Sequence, residues 1–285
     1  MKEGSLETNG GSIFYKVIGR GYPLVLMHGG PGSDHTYLLS LKNLADSFTL
    51  VFYDHRCNGR SSGPSLQSMN WENLTADAEN LRKHLGHERW AVLGHSFGGM
   101  VALEYSLRHP ESLSHLILLD SGVSSYWFRE NAPLLLKKRG FNAKTVDGAK
   151  RLFNGEIRTN EAFWIKLRLF PAYYYGLNWM RNLFTKRPKK NIEALIYGFK
   201  VLLANWNFIS QLGNITTPTL VAAGRDDFIF PPEHQAIIAD KIPNSRLEII
   251  EKAGHNTANE RPIEVMRLVK NFISDSVEGQ KKEAN

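Results

Sequence analysis

Short apolar runs alternate with amphipathic stretches along most of the chain. Runs that predict buried strands lie at 12–17, 23–28, 48–53, 90–93, 115–120, 218–223 and 246–250. Stretches that predict helices lie at 34–45, 71–86, from 100 onward, and at 232–241 and 262–274. The first two strands, separated by a glycine-containing turn, are expected to pair as a hairpin. Continuous apolar strands alternating with helices predict a mostly parallel α/β sheet covered on both faces.

The rhythm changes between residues 124 and 213. This segment contains no strand-like run, is rich in aromatic residues and has mostly helical patterns. We expect it to be a helical cap inserted into an α/β core made of residues 1–123 and 214–285. A chain of 285 residues is long enough for one such core with a sizeable insertion.

The positive charge of the chain is concentrated in the same segment. The whole chain has a formal net charge of +7, and residues 124–213 contain 16 Lys or Arg but only five Asp or Glu. This balance would suit an anionic substrate. No nucleic-acid-binding motif accompanies the charge, so we do not expect a nucleic-acid partner.

The remaining composition favours a cytoplasmic protein without membrane association. The first residues resemble no export signal, and Cys57 is the only cysteine, so an internal disulfide is excluded. The uncharged stretch at 201–224 is interrupted by polar residues and a proline, which a membrane-spanning helix would tolerate poorly. We expect neither a cofactor nor a metal, and the oligomeric state stays open.

A candidate nucleophile lies at the turn after the strand at 90–93. The sequence Gly94-His95-Ser96-Phe97-Gly98 fits the pattern G-x-S-x-G, and it stands between an apolar strand and a helical segment. In this context the pattern predicts a sharp turn that presents Ser96 above the edge of the sheet. The alternative is a glycine-rich turn with a solvated serine.

Two further residues complete a possible triad. A serine hydroxyl needs a base within hydrogen-bonding distance, and the base needs a carboxylate that orients it. His255 and Asp227 each follow a predicted strand, and functional residues collect at the carboxyl ends of parallel strands. Asp226 and Asp120 are alternatives for the acid. His28 and His55 are expected to be structural histidines.

A glycine-rich loop, His28-Gly29-Gly30-Pro31-Gly32, follows the strand at 23–28. Beside a nucleophile, such a loop favours backbone N–H groups that stabilise an oxyanion, although alone it could be only a turn. Together with the loop at 54–62, the elbow at 94–99, Gly224-x-x-Asp227 and Gly254-His255, it resembles α/β-hydrolases of the proline iminopeptidase type. The resemblance covers nearly the whole chain outside the cap.

That resemblance implies the α/β-hydrolase fold, with the backbone N–H groups of Gly30 and Phe97 forming an oxyanion hole. It also implies attack by Ser96, an acyl-enzyme intermediate and hydrolysis by water activated through His255. The predicted activity is hydrolysis of a carboxylic ester, lactone or amide. Perhydrolysis or haloperoxidase-like side activity is open to the same triad.

Two departures favour esters or lactones over peptides with a free amine. Iminopeptidases of this type usually have Gly-Gly-Ser-Trp/Tyr-Gly at the elbow, whereas Gly-His-Ser-Phe-Gly is commoner among esterases and lactonases. Residues 194–213 contain no Asp or Glu that could pair with an ammonium group, although Glu130, Glu156, Glu161 or Glu193 could substitute. An iminopeptidase-like aminopeptidase remains the alternative, and a ligand-binding receptor on the same fold is the alternative outside enzymes.

The substrate is expected to be a small molecule with a largely apolar acyl part. The aromatic residues of the insertion could form the wall of its pocket or only the core of the cap. The residues we predict to line the pocket are Gly29, His95, Tyr126, Trp127, Trp164 and Trp206. The run at 186–190, Lys-Arg-Pro-Lys-Lys, predicts a solvated loop.

Overall fold

The computed structural model describes residues 1–8, 10–180 and 188–283, with side chains in the last helix as far as 274. Its centre is an eight-stranded sheet of order β1-β2-β4-β3-β5-β6-β7-β8. The strands are Lys2–Thr8, Gly11–Ile18, Tyr22–Met27, Phe48–Tyr53, Trp90–His95, Leu113–Leu119, Thr219–Gly224 and Ser245–Ile250, numbered β1 to β8. β1 and β2 are antiparallel to their neighbours, and the pairs from β4 to β8 are parallel. The predicted mostly parallel sheet is therefore confirmed.

Both faces of the sheet are covered, because successive side chains of a strand point to opposite sides. In β5, Val92 belongs to one apolar cluster, whereas Ala91 and Leu93 belong to the other. Leu74 and Val101, from two helices, pack in the first cluster, and Leu41 and Leu268 pack in the second. Continuous apolar strands were the sequence sign of this double burial.

The helices connect the strands and build the segment between β6 and β7. They are Trp71–His84, Phe97–Arg108, Ala132–Lys138, Ala143–Phe153, Thr159–Leu169, Ile192–Tyr197, Pro232–Lys241, Thr257–Glu260 and Pro262–Glu283, numbered α1 to α9. The predicted helical stretch after the glycine loop is a 3₁₀ helix, His35–Asp46, and the Asp34 carboxylate accepts a hydrogen bond from the backbone N–H of Thr36 at its start. No helix among the described residues is both long and apolar enough to cross a lipid bilayer.

The predicted hairpin between the second and third strands is wrong. β2 and β3 both pair with β4, which lies between them. The turn crosses the beginning of β4: a Cβ on Gly19 would overlap the backbone oxygen of Phe48, and one on Gly21 would overlap that of Ser47. This pairing places the apolar strand β3 in the middle of the sheet, and β2 instead forms a hairpin with β1, a strand that the sequence patterns did not reveal.

The described residues of the segment 124–213 contain α3 to α6, short 3₁₀ and π turns, and no strand beyond an isolated bridge between Ser124 and Asn207. Phe128, Phe153 and Phe199 pack edge to face with one another inside it. These rings belong to the same apolar cluster as Val92, on one face of the sheet. The boundaries at 123/124 and 213/214 stay a prediction.

Candidate active site

Ser96 is the single residue between β5 and α2, and its backbone has a φ of +53°. L-residues rarely adopt this left-handed conformation, so the surrounding structure must hold it there. A Cβ on Gly98 would overlap the backbone carbonyl of Met27, and one on Gly94 would lie 2.5 Å from the backbone oxygen of Gly98. The glycines of the motif therefore allow α2 to approach the sheet closely enough to form the sharp turn.

The structure brings Ser96, His255 and Asp227 together in one hydrogen-bonded chain. His255 Nε2 lies 3.0 Å from Ser96 Oγ, and His255 Nδ1 lies 2.8 Å from Asp227 Oδ2. The other carboxylate oxygen of Asp227 accepts hydrogen bonds from the backbone N–H groups of Ile229 and Phe230. All three catalytic candidates are buried, with 9% of Ser96 exposed toward the adjoining cavity.

The environment of His255 favours its cationic form. Burial acts to lower its pKa, but the charge of Asp227 and the hydrogen bond to it, with a smaller contribution from Asp120, raise the pKa above its ordinary value. A base that gains stability on protonation can accept the serine proton as the hydroxyl attacks. This geometry is suited to nucleophilic catalysis.

The alternative acids have other partners. Asp120 accepts hydrogen bonds from the backbone N–H of Gly224 and from both the backbone N–H and the hydroxyl of Thr257. It thus joins the end of β7 to the loop that contains His255. Asp226 is half-buried and makes no contact with His255 among the described hydrogen bonds, so Asp227 is the carboxylate in position.

The glycine loop lies directly beside the nucleophile. A Cβ on Gly29 would lie 2.9 Å from His95 Nδ1 and 3.1 Å from the Cβ of Ser96, so the absence of a side chain favours this close approach. The backbone N–H groups of Gly30 and Phe97 donate to no acceptor among the described residues, and both residues border the same cavity as Ser96. Free backbone N–H groups that border the same cavity as a nucleophile can donate hydrogen bonds to a developing oxyanion.

Tyr37 also belongs to the site, although no sequence pattern indicated it. Its hydroxyl accepts a hydrogen bond from the backbone N–H of Gly29, and it lies 2.7 Å from His95 Nδ1. His95 Nε2 in turn lies 2.9 Å from the backbone oxygen of His255. The glycine loop, the elbow and the His255 loop are therefore connected through two side chains.

The other two histidines hold the loop backbone, as expected. His28 Nδ1 lies 2.7 Å from the backbone oxygen of Gly29, and its Nε2 accepts from the backbone N–H of His55. Burial lowers the pKa of His28 to about 4. Neither of them borders the cavity beside Ser96.

A cavity of about 410 Å³, here named the Ser96 cavity, opens beside Ser96 and His255. Its wall is largely apolar, and the described residues that line it include no Asp or Glu. The core contributes Gly29, Gly30, Pro31, Ser33, Tyr37, His95, Ser96, Phe97, Met100, Ile229, Phe230, His255, Asn256 and Asn259, and the segment 124–213 contributes Phe128, Leu152, Phe153, Phe163, Lys166, Leu167, Phe170, Tyr173, Tyr174, Pro188, Lys190, Leu195, Phe199 and Leu203.

Four of the predicted pocket residues lie elsewhere, whereas Gly29 and His95 do line the cavity. Tyr126 and Trp164 are each 57% exposed on the surface. Trp127 packs on His234, and Trp206 stacks between Trp71 and Phe208 and donates to the carboxylate of Glu104. Aromatic composition did not reveal which helix face turns inward, and this explains the four wrong positions.

The chain matches a family model described as the alpha/beta hydrolase fold over residues 22–262. It is 30% identical to a proline iminopeptidase of Saccharolobus solfataricus, with 96% of this chain and 92% of the relative covered. A solved proline iminopeptidase from Mycobacterium smegmatis superposes with a TM-score of 0.77 at 23% identity, covering 96% of this chain and 98% of that one. Est816, described as an N-acyl homoserine lactone degrading enzyme, gives a TM-score of 0.70 at 22% identity, covering 94% and 100%.

Proposed function

Because the chain belongs to the α/β-hydrolase fold family, we propose that Ser96, His255 and Asp227 are its catalytic triad. The observation that supports this assignment is the continuous hydrogen-bonded chain from the Ser96 hydroxyl to the Asp227 carboxylate. Asp227 fixes the tautomer in which His255 Nε2 is free to accept a proton.

The reaction then has two halves. Ser96 Oγ attacks the substrate carbonyl carbon as its proton passes to His255 Nε2, and the carbonyl oxygen becomes an anion held by the backbone N–H groups of Gly30 and Phe97. His255 protonates the leaving alkoxide or amine, which leaves an acyl group on Ser96. Water then gives a proton to His255 as it attacks the acyl carbon, and Ser96 recovers the proton when the acid departs.

The cavity favours esters or lactones with a largely apolar acyl part. Apolar side chains such as Phe128, Leu152 and Phe199 would desolvate an alkyl or aryl chain favourably. An ammonium group would lose its hydration there without gaining a carboxylate partner among the described lining residues. An anionic group on the substrate would suit the basic segment 124–213, which we propose acts as the cap.

Cleavage of N-terminal proline is the second candidate, because the relatives described above are named for it. Glu260, a half-buried carboxylate, also lies beside the His255 loop, but it accepts hydrogen bonds from the backbone N–H groups of Gly254 and Tyr175 and from Asn178. It therefore has little capacity left for a substrate amine.

A substrate comparison tests the proposal. We expect p-nitrophenyl butyrate and hexanoate, and a medium-chain lactone, to be hydrolysed with higher kcat/KM than proline p-nitroanilide. Ser96→Ala should abolish all of these activities while leaving the unfolding transition unchanged. Faster cleavage of proline p-nitroanilide would favour the aminopeptidase, and tight ligand binding without turnover on any substrate would favour a receptor.

We also propose a cytoplasmic location, supported by Cys57, which is a free thiol among the described residues. Fractionation of the native host with an antibody against the chain tests it, and recovery in an extracytoplasmic fraction would contradict it.

A further inference from the structure

Two lysines enter the Ser96 cavity from different parts of the cap. Lys166 lies on α5, and Lys190 lies just before α6. Both line the cavity beside Ser96 and His255. They are close enough for the charge of Lys190 to lower the pKa of Lys166. Of the run at 186–190, expected to be a solvated loop, Lys186 and Arg187 lie outside the described residues. Lys189 and Lys190 are exposed, as expected, although Lys190 also lines the cavity.

Several hydrogen bonds connect Lys190 and its neighbours to residues 32–34, at the end of the glycine loop and just after it. The N–H of Lys189 donates to Asp34 Oδ2 at 2.9 Å, and the N–H of Asn191 donates to the backbone oxygen of Gly32 at 3.0 Å. The Lys190 ammonium itself donates to the hydroxyl of Ser33 at 2.8 Å. The cation is therefore held at one place on the cavity wall.

Neither lysine forms an ion pair with a described carboxylate. Lys166 is half-buried, and its chain neighbours Phe163, Leu167 and Phe170 line the same cavity, whereas Lys190 is more exposed. Loss of hydration in such surroundings disfavours a cation, and two unpaired cations also repel each other. A bound anion would remove both penalties at once.

The pKa values fit this description. Burial, and then the charge of Lys190, lowers the pKa of Lys166 to about 7. Burial lowers the pKa of Lys190 to about 8, although the charge of Asp34 opposes the shift. At neutral pH the pair keeps a net positive charge, which a bound carboxylate would partly balance.

We propose that Lys166 and Lys190 bind a carboxylate on the substrate, remote from the bond that Ser96 cleaves. The inference rests on the proposed hydrolase function and narrows its substrates to half-esters and other esters that carry a free carboxylate. A carboxylate accepts two or more charge-assisted hydrogen bonds from ammonium groups, and the rest of the molecule occupies the apolar part of the cavity. The carboxylate can belong to the acyl half or to the alcohol half of the substrate.

Matched substrates separate these two arrangements. Mono-p-nitrophenyl adipate is compared with p-nitrophenyl hexanoate for an acyl-side carboxylate, and 3-(hexanoyloxy)benzoate with phenyl hexanoate for an alcohol-side carboxylate. In each pair the ratio of kcat/KM, anionic over neutral, is measured for the wild type and for Lys166→Met and Lys190→Met. We expect one pair to show a ratio that falls about 10- to 100-fold in each variant, as loss of a hydrogen bond to a charged group predicts.

Lys189→Met is the matched control, since it removes the same charge from the adjacent residue, which does not line the cavity. Its ratios should equal those of the wild type. Lys166→Arg, which keeps the charge, should retain more of the preference than Lys166→Met. Ratios that do not change in the Lys166 and Lys190 variants, or that fall equally in Lys189→Met, would overturn the proposal.

The pH dependence gives a second readout. As pH rises from 6 to 9 the lysines lose their protons, so the anionic-over-neutral ratio should fall in the wild type and stay flat in the Lys166→Met/Lys190→Met double variant. The other titratable groups that line the cavity are Tyr37, Tyr173 and Tyr174, whose pKa burial raises, and His95 and His255. They act on both members of a pair, and the ratio cancels their contribution. A pH-independent ratio in the wild type would contradict the proposal.

A binding measurement distinguishes failure of this inference from failure of the proposed function. Monomethyl adipate and dimethyl adipate are titrated into the Ser96→Ala protein by calorimetry. We expect only the monoanion to bind measurably, and its affinity to fall in Ser96→Ala/Lys166→Met. If no ester is hydrolysed by the wild type but the monoanion binds in this way, the hydrolase proposal fails and the lysine site stands. If esters are hydrolysed but the two ligands bind alike, only the lysine site fails.

Discussion

The two walls of the Ser96 cavity differ in how they are built. The wall from the core consists of strand ends and tight turns, where Ser96 and His255 border the cavity and Asp227 is held behind them by backbone hydrogen bonds. The wall from the cap consists of helix side chains such as Phe199 and Lys166, which contact one another and the space between them. The core wall is thus suited to hold the catalytic residues in one geometry. The cap wall is suited to determine which substrates fit beside them.

The largest difference should appear when the buried carboxylates behind the core wall are neutralised. Asp227→Asn should lower kcat on p-nitrophenyl butyrate by about 10⁴-fold, because the amide favours the wrong tautomer of His255. Asp120→Asn should lower kcat far less, since Asp120 holds Gly224 and Thr257 and does not contact His255 Nδ1. Steady-state kinetics on both variants checks this, and a larger loss in Asp120→Asn would assign the acid to Asp120.

Glycine substitutions should separate the walls by stability. Gly98→Ala places a methyl group against the backbone of Met27, so the free energy of unfolding should fall by about 1–3 kcal/mol or more. Gly148→Ala in α4 meets only Ile165 Cγ2 at 3.4 Å, and the gain in helix propensity should raise stability by about 0.5–1 kcal/mol. Urea unfolding measures both changes. Equal destabilisation would show that the cap is packed as tightly as the elbow.

The pH profile should report on the core wall alone when the substrate is neutral. The pKa of His255 is raised above its ordinary value, and protonated His255 cannot accept the Ser96 proton. We therefore expect kcat/KM to fall as the pH falls through the raised pKa of His255. The fall approaches about tenfold per pH unit below the pKa. Asp227→Asn should move the inflection to lower pH in the residual activity, because the stabilising charge is gone. An inflection that stays in place would contradict the assignment of the partner.

The smallest effect is expected from the cap wall. Phe199→Ala should widen the cavity and shift the preferred p-nitrophenyl ester toward longer acyl chains. The ratio of kcat/KM for a long-chain ester to that for a short-chain ester should change by about 10-fold or less. The ratio of dodecanoate to butyrate hydrolysis measures the shift. Phe163→Ala, at a side chain 58% exposed, is the control and should change the ratio less. No change in either variant would place the acyl group outside the cap wall.

The same contrast explains what could be predicted from the sequence. The period of the apolar residues identified the parallel strands, and the ends of parallel strands must lie along one edge, so the meeting of Ser96, Asp227 and His255 was predictable. The pairing of β2 with β4 was not, because a glycine turn between two β-rich runs does not reveal that a later strand will lie between them.

The cap was less predictable for physical reasons. Trp164 and Tyr126 are aromatic, as pocket walls often are, but their side chains face solvent. Long-range packing decides which face of a helix turns inward, and aromatic composition does not reveal it. Lys190 belongs to a basic run that is typical of a solvated loop. Its place beside the cavity depends on hydrogen bonds of Lys189 to Asp34, of Asn191 to Gly32 and of its own ammonium to Ser33. Tyr37 has no local pattern that marks it at all.

Covalent labelling tests the central claim most directly. A fluorophosphonate should lose fluoride to form a stable phosphonyl ester on Ser96 Oγ, and mass spectrometry of the digested protein should locate this single adduct with simultaneous loss of esterase activity. The adduct should be absent in Ser96→Ala and form far more slowly in His255→Ala. Esterase activity that persists with Ser96 fully labelled, or labelling at an unchanged rate in His255→Ala, would contradict the account.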